Sequence, residues 1–342
     1  MTLPVAKPAH GRPTVPEPLP AQSFAPAVAA IVSLVLIAGM LRTRRFALPL
    51  DHPNERSLHT RPVPRTGGLG ILAGSLAGLA LAGADPAIVL CALGLAVLSF
   101  ADDRKHVPIA LRFAGHGVAA AVAVLAIVGT QWPLLAALLV LATMWMTNLY
   151  NFMDGSDGLA GGMAVFGFGA YALAAAGGGH TALALGAASV AAAAAAFLAF
   201  NYPPARIFMG DVGSVPLGFL AAALGMAGWQ GGAWPAWFPV LVFSPFIVDA
   251  TATLAQRAAR GERVWQAHRS HYYQRLVQLG WGHARTARAE YALMAACGLG
   301  GLAALSAPTA VQAALLAVAA LGYAALAAAV DRAWARRREG AA

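Results

Sequence analysis

Residues 181–200 read TALALGAASVAAAAAAFLAF, a run of twenty residues without a charged side chain. An α-helix rises about 1.5 Å per residue, so a run of this length crosses the roughly 30 Å hydrocarbon core of a bilayer. No water bonds the backbone inside that core, and a helix satisfies its own amides and carbonyls. The run therefore predicts a membrane-spanning helix, and its Ala and Gly content favours close packing against neighbouring helices.

The rest of the chain has the same character. Of its 342 residues, 59% are hydrophobic and 11% are charged, which is too apolar a composition for a water-soluble fold. We therefore predict an all-α, polytopic integral membrane protein with about 11 transmembrane helices. The other predicted spans are residues 24–41, 67–84, 86–100, 109–130, 133–148, 159–177, 213–229, 236–255, 289–306 and 309–330.

The basic residues predict the orientation of these spans. Of 23 Lys and Arg residues, all but Lys7 and Arg12 follow an odd-numbered span. By the positive-inside rule, those loops are cytoplasmic. Residues 1–23 are rich in Pro and predict a disordered tail, residues 24–331 the transmembrane domain, and residues 332–342 a basic cytoplasmic tail. The basic residues flank spans without interleaved aromatics, which favours membrane lipid and phosphorylated substrates over nucleic acid as partners.

Five carboxylates indicate the chemistry. Asp102, Asp103, Asp154, Asp157 and Asp211 lie at the cytoplasmic ends of three different predicted spans. A carboxylate at a membrane edge is costly without a partner. Mg²⁺ is a suitable partner because it takes one or two carboxylates and leaves its other positions to water and phosphates. The cluster therefore indicates phosphate chemistry.

Each acidic motif also fits a purely structural interpretation. Asp102 and Asp103 fit a solvated helix end, Asp154 and Asp157 fit a turn, and Asp211 fits a helix N-cap. Adjacent residues are about 100° apart on a helix, so Asp102 and Asp103 are not expected to chelate one ion together.

Polar and basic residues accompany the acids. Asn148, Asn151 and the two acids that follow are spaced three apart, which makes consecutive members neighbours on a helix or turn. The first loop offers Arg56, His59 and Arg65 to an anionic lipid or a diphosphate. In the ninth loop, histidine and arginine side chains can donate to a diphosphate, and the adjacent tyrosines offer stacking or hydroxyl contacts. A zinc site there is the weaker alternative because no third soft ligand is near.

Five motifs together resemble a known family, the polyprenyl-phosphate N-acetylhexosamine-1-phosphate transferases. The resemblance implies a ten- or eleven-helix fold in the bacterial cytoplasmic (inner) membrane, with active-site loops on the cytoplasmic face. It also implies transfer of a sugar-1-phosphate from a UDP-N-acetyl sugar to undecaprenyl phosphate, with release of UMP and with Mg²⁺, or Mn²⁺ as a substitute. The motifs are DHPNERSLHTRPVPRTGGLGI (51–71), FADDRKHVP (100–108), NLYNFMDGSDGLAGG (148–162), IFMGDVGS (207–214) and HRSHYYQR (268–275).

The resemblance also implies a role for each matching residue. Asp211 is expected to hold the metal, with Asn151 as a further ligand. The expected catalytic residues are Asp102, Asp103, Asp154 and Asp157. The expected substrate-binding residues are Asn148, Asn151, Arg56, His59, Arg65, His268, Arg269 and His271.

The histidine motif bears on the substrate. This chain has His-Arg-Ser-His at residues 268–271 where the peptidoglycan-precursor branch has three consecutive histidines. The difference favours the O-antigen or capsule-initiating branch, with a GlcNAc, FucNAc or QuiNAc donor, over the alternative of a phospho-N-acetylmuramoyl-pentapeptide transferase. A transporter is the alternative of a different class, although its acids should lie near the midplane. Only Asp249 fits that placement, and we expect it to face the catalytic cleft. A second copy of the chain is a further candidate partner.

Overall fold

The structure is a computed structural model that describes residues 20–42, 50–51, 53, 58, 61–105, 107–264, 266 and 268–339. Helices dominate it, and the predicted all-α, polytopic membrane fold is confirmed. The helices are α1 Ala25–Arg42, α2 Gly67–Leu81, α3 Pro86–Lys105, α4 Ile109–Ile127, α5 Pro133–Phe152, α6 Leu159–Gly177, α7 Thr181–Asn201, α8 Asp211–Gln230, α9 Trp237–Val242, α10 Ser244–Ala259, α11 Tyr272–Leu276, α12 Gly282–Ala304 and α13 Thr309–Glu339.

Every predicted span is helical in the structure. For eight of the spans, the helix is long and apolar enough to cross a membrane, among the residues that the structure describes. The other three predicted spans depart from a simple crossing. Helix α2 has only 15 residues, and α12 begins with the polar residues that follow Gly282. The span predicted at 236–255 is broken at Phe243 into α9 and α10. Pro245 explains this break, because proline lacks an N–H and its ring clashes with the carbonyl four residues earlier.

The last helix extends past its predicted end. Helix α13 continues to Glu339 and includes most of the predicted basic tail. Arginine is a good helix former, and Arg336, Arg337 and Arg338 lie in the last turn, where cations interact favourably with the helix dipole. The polar end of α13 is therefore helical.

A short two-stranded antiparallel sheet, which the sequence did not predict, joins the ends of the first loop. Strand β1, Leu50–Asp51, pairs with β2, Val63–Pro64. The chain after β2 is bonded in turn to the segment before α8: Phe208 N–H donates to the carbonyl of Pro64 at 2.7 Å, and Gly67 N–H donates to that of Phe208 at 2.9 Å. These bonds bring the start of α2 beside the start of α8.

Helix α8 is the buried centre of the bundle and packs against α2, α3 and α5. Glycines allow these helices to approach closely. A Cβ on Gly68 would lie 2.4 Å from the backbone nitrogen of Gly213, and one on Gly218 would lie 2.6 Å from the carbonyl oxygen of Met146. By contrast, α13 lies at the periphery, and none of its residues is buried within its described range.

The contact between α2 and α8 predicts the effect of a small substitution. Gly68→Ala places a methyl group against backbone that cannot turn away, so we expect a loss of about 1–3 kcal/mol in the free energy of unfolding. Gly322→Ala in α13 is the matched control, because nothing lies within 4 Å of its added Cβ. Thermal unfolding in detergent measures both, and an equal midpoint for both variants would contradict the packing described here.

Candidate active site

Polar helix ends and loops converge on one cavity of about 560 Å³. A cavity of this size suits a small-molecule ligand. It brings together seven residues that the sequence predicted: Asn151, Asp154, Asp157, Asp211, Arg65, His268 and His271. It also contains charged or titratable side chains that the sequence did not assign to a site: Asp51, Arg112 and His283.

The central acids come from α5 and α8. Asp211 is the first residue of α8, and Asp154 lies two residues beyond α5. Gly210 N–H donates to the Asp154 carboxylate. Gly210 has φ 70°, and a Cβ there would lie 2.8 Å from the carbonyl oxygen of Arg65. Glycine is therefore required at 210 both by its left-handed backbone and by the close approach of the first loop.

Burial dominates the electrostatics of Asp154. It raises the pKa of the Asp154 carboxyl well above its usual range, and the negative charge of Asp211 raises this pKa further. The N–H of Gly210 opposes the shift. Two carboxylates that repel each other in one cavity would both be stabilised by a cation.

Asn151 is oriented between two partners on α8. Its Oδ1 accepts a hydrogen bond from Ser214 Oγ at 2.7 Å, and its side chain also bonds to the Asp211 carboxylate. Only the amide nitrogen can donate to a carboxylate, so these contacts fix which way the amide faces. Asn151 therefore orients Asp211, and its role as a metal ligand stays a prediction.

The acid pair at the end of α3 lies behind two arginines. Asp103 pairs with Arg65. Asp102 lies 2.8 Å from Arg112 and also accepts a 2.8 Å hydrogen bond from Val107 N–H. The second nitrogen of Arg112 lies 3.8 Å from Asp211. The two adjacent acids thus have different partners, and they meet the cavity through guanidinium groups rather than by lining it.

Arg112 was not predicted as a site residue, because a basic residue near the end of a span also fits a cytoplasmic topology signal. A usable signal existed, since Arg112 lies inside the apolar window 109–130. A cation within such a window needs a polar partner. Its contacts with Asp102 and Asp211 supply one from α3 and one from α8.

Asp157 bonds to the backbone of the following loop and lies near His283. One carboxylate oxygen accepts from Ala205 N–H at 2.9 Å, and the other lies 3.8 Å from His283 Nδ1. His283 Nε2 lies 3.1 Å from the carbonyl oxygen of Leu58, so Nε2 carries the proton. Nδ1 then accepts from the Ser156 hydroxyl at 2.8 Å. These contacts fix the walls of the cavity, and a catalytic role for Asp157 stays a prediction.

Asp249 lies behind the histidine motif, which corrects the expectation that it faces the cleft. It is buried, and its oxygens accept from the N–H groups of Tyr272 at 3.0 Å and Tyr273 at 2.9 Å. His271 Nδ1 lies 3.1 Å from the same carboxylate. The first N–H groups of a helix lack intrahelical acceptors and attract negative charge. Asp249 therefore positions α11 and His271.

The two histidines lie against each other at the cavity wall. Their ring centroids are 4.8 Å apart with 30° between the planes. Because a carboxylate can only accept, His271 Nδ1 carries the proton towards Asp249, which leaves Nε2 for a ligand. Burial lowers the pKa of His268 to about 4, and proximity to His271 and Arg257 contributes to the shift. His268 is therefore neutral near pH 7.

Several residues predicted to bind substrate lie elsewhere. Arg269 is exposed outside the cavity, and its carbonyl accepts from Gln278. Asn148 lies on α5, where its amide donates to the carbonyl of Met144 at 2.7 Å and its side chain also bonds to His116. Neither residue lines the cavity, and their assignment to substrate binding stays a prediction. Arg56 and His59 lie outside the described residues.

The tyrosines of the histidine motif contact protein rather than the cavity, which corrects the expectation of stacking or hydroxyl contacts to substrate. Tyr273 is buried, and its hydroxyl donates to the carbonyl of Phe152 at 3.1 Å. A Cβ on Gly155 would lie 2.2 Å from that hydroxyl. The Tyr272 hydroxyl donates to Asp331 at 3.2 Å.

The oxygen donors in the cavity fit a hard divalent cation. Asp154, Asp211 and Asn151 line the same cavity and offer carboxylate and amide oxygens. Within the part of the chain that the structure describes, no three His, Cys or acidic side chains form a closed metal site. Mg²⁺ commonly takes one or two carboxylates and completes its shell with water and phosphate oxygens. The donor set therefore suits an ion that shares its coordination with a phosphorylated ligand.

The pKa of His268 can be measured directly. With ¹³C-labelled histidine, we expect the NMR signal of His268 to titrate near pH 4 rather than near 6.5, the approximate ordinary value. Because the pKa of His268 is lower in the folded protein than in the unfolded chain, its contribution to the free energy of unfolding is fully present above about pH 6.5. The contribution is lost as pH falls towards 4, because the unfolded chain then binds a proton that the folded protein does not. His268→Gln should remove both the signal and that part of the acid sensitivity. A His268 signal that titrates near 6.5 would contradict its burial.

Comparisons with known sequences match this part of the chain. A family model described as Glycosyl transferase family 4 matches residues 86–228, which include α3, α5 and the start of α8. Over 285 residues, the chain is 30% identical to the probable undecaprenyl-phosphate N-acetylglucosaminyl 1-phosphate transferase of Bacillus subtilis, with 75% of this chain and 78% of that protein covered.

Two further relatives carry different names. The phospho-N-acetylmuramoyl-pentapeptide-transferase of Shouchella clausii is 30% identical over 293 residues, which cover 75% of this chain and 88% of that protein. The decaprenyl-phosphate N-acetylglucosaminephosphotransferase of Mycobacterium leprae is 27% identical over 300 residues, which cover 73% of this chain and 74% of that protein.

Proposed function

The chain belongs to glycosyl transferase family 4 and is a polyprenyl-phosphate hexosamine-1-phosphate transferase, and from that premise we propose that it transfers a sugar-1-phosphate from a UDP-N-acetylhexosamine to undecaprenyl phosphate. One observation carries the proposal: a single cavity joins the acids after α5 and at the start of α8 to arginines and histidines from four other segments. Such a cavity can hold a diphosphate at the membrane edge.

The proposed reaction is a phosphoryl transfer. An oxygen of the lipid phosphate attacks the phosphorus next to the sugar, the bond from that phosphorus to the bridging oxygen breaks, and UMP leaves with that oxygen. A phosphate has a second pKa of roughly 6, so little deprotonation is needed near pH 7. Positioning and neutralisation of charge therefore do most of the work.

The arginines and histidines suit these tasks. Arg65 and Arg112 line the cavity and can neutralise the lipid phosphate, while Asp102 and Asp103 hold their guanidinium groups in place. His271 contacts Asp249 through Nδ1, so in its imidazolium form, which the Asp249 carboxylate would stabilise, Nε2–H can donate to the diphosphate. We assign Asp211, with Asn151, to Mg²⁺ or its substitute Mn²⁺. The metal would neutralise the diphosphate charge when bound.

We further propose that the donor carries a simple N-acetylhexosamine of the GlcNAc, FucNAc or QuiNAc type, and that the product founds an O-antigen or capsule glycan. The support is the histidine motif, where Arg269, which is exposed, and Ser270, which does not line the cavity, separate the two histidines. A motif of three consecutive histidines would present a different surface. The phospho-N-acetylmuramoyl-pentapeptide transferase is the second candidate, and the relative from Shouchella clausii carries that name.

We place the cavity on the cytoplasmic side of a bacterial inner membrane. Support comes from the basic residues of the chain, which flank the same helix ends as the acids of the site. A nucleotide sugar from water and a lipid phosphate from the bilayer can meet only at such an edge. Acids at helix ends, rather than near the midplane, count against the transporter alternative.

The role of Asp211 can be tested with a matched pair of variants. We expect Asp211→Asn to lower lipid-dependent UMP release by roughly 10²-fold or more, since a charge that stabilises the transition state is removed. Asp85→Asn makes the same chemical change just before the first residue of α3, at the end of that helix away from Asp102 and Asp103. There Asp85 accepts a hydrogen bond from Ala87 N–H. It should retain activity. Full activity of Asp211→Asn in purified enzyme with a panel of UDP-N-acetyl sugars would remove Asp211 from the metal site.

The assignment of the histidine motif to the donor predicts a kinetic difference. His271→Ala should raise the KM for the UDP-sugar about tenfold and leave the KM for undecaprenyl phosphate within about twofold. His180→Ala is the control, because His180 precedes α7 on the opposite side of the bundle. Equal increases in both KM values would show instead that His271 supports the whole site.

A further inference from the structure

The polar end of α13 contacts the histidine motif through one acid, Asp331. Its Oδ1 accepts from Arg275 Nη1 at 2.5 Å. Its Oδ2 accepts from the hydroxyl of Tyr272 at 3.2 Å and from Gln256 Nε2 at 3.4 Å. Among the residues that the structure describes, this is the one ion pair between α13 and the rest of the chain. Asp331 thus joins the last helix to both α10 and α11.

Arg275 transmits this contact to the histidines. Its side chain is 5% exposed, and a guanidinium that is so buried requires a partner for its charge. Its Nε donates to the carbonyl of Ser270 at 2.7 Å. Ser270 lies between the two histidines, and its hydroxyl lies 2.9 Å from His268 Nδ1. Asp331 therefore holds an arginine that in turn fixes the backbone of the motif.

The motif is held from two sides by acids on different helices. Asp249 on α10 accepts from the first N–H groups of α11 and contacts His271. Asp331 on α13 holds Arg275 and Tyr272, which are the two ends of the same turn of helix. Together these contacts determine where the histidine rings lie at the cavity wall.

We propose that Asp331 is a positioning residue for the donor site. It acts through Arg275 and Ser270 to hold His268 and His271 in the orientation that receives the diphosphate of the nucleotide sugar. This inference rests on the proposed function, because it takes the histidines as the residues that contact the donor.

Removal of the Asp331 charge should not detach α13. Two other contacts attach this helix deeper in the bundle. The hydroxyls of Tyr323 and Ser244 are 2.7 Å apart, and Trp237 Nε1 donates to Gln312 at 2.9 Å. A variant at position 331 should therefore fold and insert, with its effect confined to the histidine motif.

The test compares three variants of the full-length enzyme. Asp331→Asn removes the charge, Asp331→Glu keeps it, and Glu339→Gln makes the same neutralisation two turns later in α13. We expect Asp331→Asn to raise the KM for the UDP-sugar about fivefold or more, with kcat and the KM for undecaprenyl phosphate within about twofold. Asp331→Glu and Glu339→Gln should stay near the wild-type values. Unchanged donor KM in Asp331→Asn, or parallel changes in both KM values and in Tm, would overturn the inference.

Hydrogen exchange of residues 268–276 gives a readout that does not need activity. We expect the amides of this segment to exchange about fivefold faster or more in Asp331→Asn than in the wild type or in Glu339→Gln. Unchanged exchange would overturn the inference. If the wild-type enzyme releases no UMP from any donor, the proposed function fails, whereas the exchange comparison still decides whether Asp331 positions the motif.

Discussion

A carboxylate at the edge of a bilayer must find a cation or a hydrogen-bond donor, and the polar half of this molecule is arranged by that requirement. Asp103 pairs with Arg65 from the first loop, Asp102 with Arg112 from α4, and Asp249 with the start of α11. Each pair joins two different segments of the chain. Asp154 and Asp211 also have partners, the N–H of Gly210 and the side chains of Arg112 and Asn151, but negative charge on one still disfavours negative charge on the other. A divalent cation and the diphosphate it accompanies would remove that repulsion, which is why this pair is the centre of the proposed chemistry.

The apolar half of the fold makes those pairings geometrically attainable. Glycines on α2 and α8 let two backbones approach, and the hydrogen bonds between the chain after β2 and the segment before α8 place Arg65 beside Gly210. The break at Phe243 ends α9 and begins α10, the helix that carries Asp249 towards the histidine motif. Packing of small residues in the membrane and pairing of charges at its edge thus act on the same helices. Neither alone would bring four of the five sequence motifs to one cavity and the acids of the fifth to its two arginines.

The sequence predicted the helices and most of the cavity because hydropathy and charge are local properties. A run such as residues 181–200 specifies a span by itself, and Asp154, Asp211 and His271 carry motifs that can be identified without a structure. Contacts between distant segments were not predictable in this way. Asn148 bonds to its own helix, Arg269 is exposed, and Arg112 reaches Asp211, because helix rotation, loop conformation and helix packing decide these directions. His283 and Asp331 were missed for the same reason, since their partners lie more than fifty residues away.

The central claim is that the ends of α5 and α8 form one site for a divalent cation and a nucleotide diphosphate. Crystals of the enzyme with Mn²⁺ and UDP test it most directly, because manganese gives an anomalous signal that locates the ion. We expect one anomalous peak in the cavity, within about 2.5 Å of an Asp211 carboxylate oxygen and in contact with the diphosphate. UDP bound in the cavity without such a peak, or a peak at Asp249 or Asp331 instead, would contradict it.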